Sequence, residues 1–188
     1  MRMRVFRLTV FFFLLSLAVA GCATTAGTGG ASQPPRVKLE RVEVASYFPY
    51  AAPPARVPLI LGFIFAVNNP NGSPAALEEM KFTVSFEGKP GEYFALSTPT
   101  VYEKMYVPGK TTNQLRVTAV LDSLVVPGNL AVTSGTRVSA LGLKPGDVVK
   151  DWWENIGDFS FGIKVSEGVA LFNGGSMVVP FEDSFPRK

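Results

Sequence analysis

Histidine is missing from all 188 residues, and cysteine occurs once, at Cys22. Without an imidazole there is no Ser-His-Asp triad, no Cys-His dyad, no HExxH zinc site and no histidine acid–base step. A single thiol forms neither an intrachain disulfide nor a cysteine-rich metal cluster. Nucleophilic serine lacks its usual settings, since neither G-x-S-x-G nor S-x-x-K occurs, and no calcium loop of the D-x-[DN]-x-[DN]-G kind is present. Charged residues make up only 18% of the chain, whereas 47% is hydrophobic, a globular rather than a disordered balance. The length suits one domain and would cramp two. No cofactor is expected, and the composition points to a binding or structural protein.

The N-terminus carries an address. Arg2, Arg4 and Arg7 precede a thirteen-residue apolar run, residues 8–20. That run is short for a membrane span, which needs about 20 residues, and suits the core of a secretory signal. It ends in Val19-Ala20-Gly21-Cys22. This sequence resembles the lipobox of bacterial lipoproteins. The resemblance implies that the Cys22 thiol receives a diacylglycerol, that the chain is cut after Gly21, and that the new amine is acylated. The bland alternative is an ordinary secretory signal with an incidental cysteine. Ala23 and Thr24 follow the cysteine, and the absence of an Asp there favours the outer membrane, facing the periplasm. Three of the 18 basic residues and none of the 15 acidic ones lie in residues 1–21, so the mature chain balances at 15 against 15. No nucleic-acid partner is expected. Membrane attachment would come from the acyl chains on Cys22, of which two or three hold firmly.

Residues 23–35 are small, polar and uncharged and end in Pro34-Pro35, the composition of a flexible tether behind the lipidated Cys22. Residues 36–188 then read as one all-β domain. Val37 and Leu39, then Val42 and Val44, alternate with a phase slip near Arg41, as a bulge gives. Residues 57–67 are apolar on both faces and predict a central, doubly covered strand. Met80, Phe82, Val84 and Phe86 alternate with polar residues, the Gly88-Lys89-Pro90-Gly91 turn follows, and Tyr93 to Leu96 returns. Further strands are expected at 100–106, 115–121, 159–165 and 176–181. Seven to eight short strands with turns between them predict an antiparallel β-sandwich. One short helix is expected, with Asp147 as its cap, Val148, Val149, Trp152, Trp153 and Ile156 on one face, and Gly157 at its end. Residues 123–145, broken by Pro127-Gly128 and Gly135, fit either a strand or a loop.

One segment carries a family resemblance. A hydrophobic strand ends in Val67-Asn68-Asn69-Pro70-Asn71, Leu77 follows a short loop, and an alternating strand and glycine turn come next. This resembles the late-embryogenesis-abundant group-two family, also called the water-stress and hypersensitive-response (WHy) domain, whose hallmark is the Asn-Pro-Asn triplet. Phe161 to Val165 and Val179-Pro180-Phe181 are similar to the family's closing strands. The resemblance implies a sandwich similar to fibronectin type III domains with one helix, and a stress- or desiccation-related binding or stabilising role.

The residues themselves allow plainer uses. Asn69 precedes proline and is pushed to extended geometry, and Asn71-Gly72 tolerates left-handed backbone. Asparagine amides at a strand end can satisfy loose backbone groups, which favours a structural use of Asn69, Pro70 and Asn71 over ligand binding. Trp152 and Trp153 read as a core lid, or else as a lid over an apolar-ligand groove lined by Phe63, Phe65, Phe82 and Phe86, or as an interfacial anchor. The acid pairs Glu78-Glu79 and Glu182-Asp183 are sequence neighbours, a poor arrangement for two carboxyls facing across a cleft. Three functions follow as expectations: a stress-related stabilising domain, a carrier of lipid or another apolar ligand in the periplasm, and a scaffold lipoprotein docking an envelope protein.

Overall fold

The computed structural model of the chain describes residues 32–186. Gly21, Cys22 and most of the expected tether lie outside the described residues. Two antiparallel sheets face each other. β1 (Arg36–Ser46), β2 (Pro58–Asn68) and β7 (Thr112–Asp122) form a three-stranded sheet in the order β1-β2-β7. The second sheet runs β4 (Glu92–Ser97), β3 (Ala75–Lys89), β8 (Ile163–Phe172), β9 (Met177–Phe185). Two short strands, β5 (Thr100–Val101) and β6 (Met105–Val107), also pair with β3. The chain is therefore an antiparallel β-sandwich.

Side-chain alternation explains the strands. Met80, Phe82, Val84 and Phe86 all point into the core from β3. β2 is central in its sheet and sends Leu59, Leu61, Phe63, Phe65 and Val67 inward. Its other face is covered too, but by charge rather than by an apolar layer. Ile64 is only 4% exposed and lies in register between Arg41 and Arg116. The Arg116 guanidinium rests where a Cβ at Gly62 would be, and Glu43 bonds both arginines, at 2.7 Å to Arg41 and 2.5 Å to Arg116. The aliphatic stems of these side chains shield apolar surface while their heads stay in water. The phase slip in β1 is real: register shifts between Leu39 and Arg41.

The two inner faces interlock through aromatic rings. Phe82 meets Phe63 at 5.4 Å and Phe65 at 5.0 Å between centroids, and Phe65 meets Phe181 at 5.6 Å, all edge to face. Such packing joins the sheets at close range.

Several elements differ from the sequence reading. The alternation over residues 100–106 breaks into β5 and β6, leaving Tyr102 75% exposed between them. β8 starts at Ile163, not Phe159, and runs on to Phe172. Phe159 has φ of 47° and closes a 3₁₀ turn at Ile156–Asp158, its ring 4.9 Å from that of Phe185.

Residues 123–145 form no strand; they hold the whole of a second helix, α1 (Val125–Ala140), with short turns on either side of it. Pro127 falls in its first turn, where no intrahelical N–H partner is lost. Asp122 Oδ1 accepts the first two free N–H groups, from Leu124 at 2.8 Å and Val125 at 3.3 Å. At the other end Gly142, with φ of 68°, donates to Ser139 and Leu143 donates to Val138, a Schellman closure. The expected helix is α2 (Pro145–Asn155). Lys144 rather than Asp147 stands at its N-cap, because Pro145 takes the first helical position. Asp147 lies inside the first turn, where its charge suits the helix dipole. Gly157 lies within the 3₁₀ turn that continues the helix, and Phe159 takes the left-handed position.

Candidate functional site

The Asn-Pro-Asn triplet sits at one end of the sandwich as a node of hydrogen bonds. β2 delivers it, since the strand ends at Asn68 and Pro70 cannot extend a ladder. Asn69 is fully buried. Its Nδ2 donates to the carbonyls of Ser73 at 2.8 Å, Val107 at 3.0 Å and Pro108 at 3.3 Å, and its Oδ1 accepts from the backbone and side-chain nitrogens of Asn71, each at 3.1 Å. The adjoining turn is pressed against it. A Cβ on Gly109 would stand 2.3 Å from the Gly72 carbonyl, and Lys110, with φ of 59°, donates its N–H to Asn71 O and its ammonium to Pro70 O.

Asn71 reaches the other way. Its Oδ1 accepts the Gln33 N–H at 2.9 Å and its Nδ2 donates to the Gln33 carbonyl at 2.8 Å. The carboxamide thus mimics a strand partner and clasps the backbone where the chain enters the domain. Pro35, two residues on, is buried. Gln33, Pro34, Pro35 and Arg36 border an open groove of about 430 Å³ with Val178, Val179 and Pro180 of β9. The folded domain therefore reaches back to Gln33, three residues before the expected boundary at Arg36. These contacts are amides and carbonyls; they hold position and carry no acid, base or nucleophile.

Trp152 and Trp153 lie at the opposite end of the sandwich, and both are fully buried. Trp152 packs edge to face on Phe86 at 5.4 Å and donates its indole N–H to Glu87 O at 2.8 Å. Trp153 donates to Val57 O at 3.1 Å. Each indole has its polar atom satisfied inside the protein, so neither side chain is an interfacial anchor. Phe82 packs on both Phe63 and Phe65, and Phe86 on Trp152, so these rings contact one another within the core. Glu87 also organises this end through its carboxylate, which accepts from Gly91 N–H at 2.7 Å and Gly162 N–H at 2.9 Å. Burial, aided by Glu87, pushes the nearby Tyr93 phenol above its ordinary range.

The acid pairs do not converge. Glu78 pairs with Lys104 at 3.5 Å, and Glu182 with Lys164 at 3.8 Å. Strand neighbours such as Glu182 and Asp183 alternate between faces. Among the described residues no group of three metal-ligating side chains comes together, and no helix is long and apolar enough to cross a membrane. Sequence reasoning missed the Asp122 cap, which Arg56 holds at 2.7 Å, and the Gln33 clasp; an Asp-Ser pair ahead of Leu-Val-Val was the available signal for the first.

No family model matches the chain, and none of the curated proteins does. Solved structures are similar at a distance. A solution structure of a protein from Arabidopsis thaliana is 13% identical, with a TM-score of 0.47 over 82% of this chain and 81% of that one. A crystal structure of a protein from Archaeoglobus fulgidus is 13% identical, with a TM-score of 0.37 over 80% of this chain and 98% of that one. A sporulation control protein from Bacillus subtilis is 13% identical, with a TM-score of 0.39 over 81% of this chain and 48% of that one. None of these likenesses is near enough to carry an argument about function.

Proposed function

We propose that this chain is a lipid-anchored, non-enzymatic envelope protein whose WHy-like sandwich serves a binding or stabilising role under water stress. The observation that carries the reading is the clasp of Asn71 on the Gln33 backbone. It fixes the exit point of a short uncharged segment that leads back to Cys22, as a domain held near a surface by its N-terminus requires. The triplet's amides are spent on this holding role, which supports a structural module better than a catalytic one. The carrier reading has a specific obstacle, since Phe63, Phe65 and Phe82 would have to part before an apolar ligand could enter. The stabilising role is tested by drying a labile enzyme with the mature protein and measuring recovered activity on rehydration. Protection beyond that of an equal mass of serum albumin is expected; equal or lower recovery refutes the stress role.

A further inference from the structure

One sheet edge of the sandwich is not blunted. An edge strand presents unpaired N–H and C=O groups, and proteins disarm it with bulges, proline, charge, short strands or a covering helix. β1 has register shifts between Leu39 and Arg41 and between Val44 and Ser46, and it carries Lys38, Glu40, Arg41 and Glu43. β9 has Pro180 and a register shift. The edge made by β4, β5 and β6 is broken into strands of six, two and three residues, and α1 holds β4 through Arg137 and Glu92. β7 has none of these devices. Its eleven residues pair with β2 in unbroken register and include no proline. Its two charged side chains are already engaged, Arg116 with Glu43 and Asp122 with Arg56.

The phase of the β2–β7 ladder shows which backbone groups are left over. Asn69 N–H donates to Thr111 O at 2.9 Å, and Ser123 N–H donates to Val57 O at 3.1 Å. Both pairs continue the strand register, in which Asn68 faces Thr112 and Pro58 faces Asp122. Bonded and non-bonded pairs alternate in an antiparallel ladder, so the odd-numbered residues of β7 bond to β2. Thr112, Gln114, Arg116, Thr118, Val120 and Asp122 aim their backbone N–H and C=O groups at the free edge. Among the described residues β7 pairs with no other strand. Near its start Asn113 Nδ2 donates to Tyr106 O at 3.1 Å, so the open stretch runs from Gln114 to Asp122. The side chains of Gln114, Arg116, Thr118 and Val120 are exposed, Val120 at 61%.

This stretch complements itself. Antiparallel pairing about a two-fold axis at Thr118 uses all of it, with Thr118 facing Thr118 of the second copy, Arg116 facing Val120 and Gln114 facing Asp122. Facing threonines are a favourable cross-strand pair, and each Arg116 then lies diagonal to Asp122 of the second copy, an opposite charge. An axis at Val117 would instead set the two arginines diagonal to each other, and an axis at Arg116 would set them face to face. Two-fold pairing of identical patches is the commonest symmetry of oligomers.

We propose that β7 is a dimer edge, at which two copies of the chain pair antiparallel through residues 114–122 and join their three-stranded sheets into one of six strands. The test uses the full chain purified from a bacterial host in mild detergent. Sedimentation should show a dimer, and Thr118→Lys should weaken self-association at least tenfold while leaving thermal unfolding unchanged. Thr118→Cys brings two thiols to the axis, where a bonded pair has Cα atoms about 5.5 Å apart, within reach of a disulfide. Mild oxidation should link Thr118→Cys into a dimer. The natural chain, which holds Cys22 alone, and Val120→Cys, whose two copies lie off the axis, should stay unlinked. A monomeric natural chain, a dimer indifferent to Thr118→Lys, equal linkage from Val120→Cys, or linkage of Thr118→Cys to a different protein would each overturn the proposal.

Discussion

Asn69 does the work of several residues. Burying it without partners would cost several kcal/mol, yet both ends of its amide are satisfied by neighbouring backbone and by Asn71. Asn69→Ala strands the carbonyls of Val107 and Ser73 and should lower stability by about 3 kcal/mol, measured by urea unfolding. Asn71→Ala releases Gln33 and should cost about 1 kcal/mol, with new protease cleavage near residues 33–36 as its signature. Charge at the surface acts through pH. Arg56, and then the Leu124 N–H, hold the Asp122 carboxyl below its ordinary range, as Arg41 and Arg116 do for Glu43. Both groups bind a proton less readily folded than unfolded. Their stabilisation is complete above the ordinary carboxylate range and is lost as pH falls through the lowered folded values. Thermal unfolding between about pH 6 and about pH 2 should therefore show a shallower acid slope for Asp122→Asn than for the natural chain.

Strands β3 and β7 were legible because apolar and polar residues alternate along them, even where, as at Thr83 and Ser85, the polar residues are buried as well. Phe82, Val84 and Phe86 announce β3, and Leu115, Val117, Ala119 and Leu121 announce β7, by strict alternation. α1 was not, for a physical reason. Only Val126, Leu130 and Val138 of its sixteen residues are buried, and valine, threonine and glycine within it favour other conformations. Its stability comes from caps and from docking: Arg137 pairs with Glu92 at 2.5 Å and lies 4.9 Å over the Phe94 ring. Leu130→Ala should accordingly cost about 3 kcal/mol, whereas Val132→Ala should change urea stability by less than about 0.5 kcal/mol. The triplet was legible as a turn, but its grip on Gln33 was not, since the two lie 38 residues apart. In β8 the strand was foreseen but its bulge was not. Glu167 takes φ of 52° and bonds Thr83 at 2.8 Å, and a Cβ on the following Gly168 would meet Phe181 O at 2.5 Å. Gly168→Ala should thus destabilise the β8–β9 hairpin by about 2 kcal/mol or more, seen as a lower urea midpoint with the slope unchanged.

The two ends of the sandwich divide the labour. One end, with the triplet, the Pro108-Gly109 turn and Gln33, secures the entry of the chain. The other, closed by α1 and α2, buries two tryptophans. Between them the interlocked phenylalanines make a solid core, which suits a rigid module better than a container. The proposed function depends most on a lipid anchor at Cys22. The intact mass of the full-length chain purified from bacterial membranes addresses that directly. The expected result is a chain that begins at Cys22 and carries a diacylglycerol and an added acyl group, with Cys22→Ser leaving the membrane fraction. An unmodified Cys22, or a mature chain cut elsewhere, would contradict it.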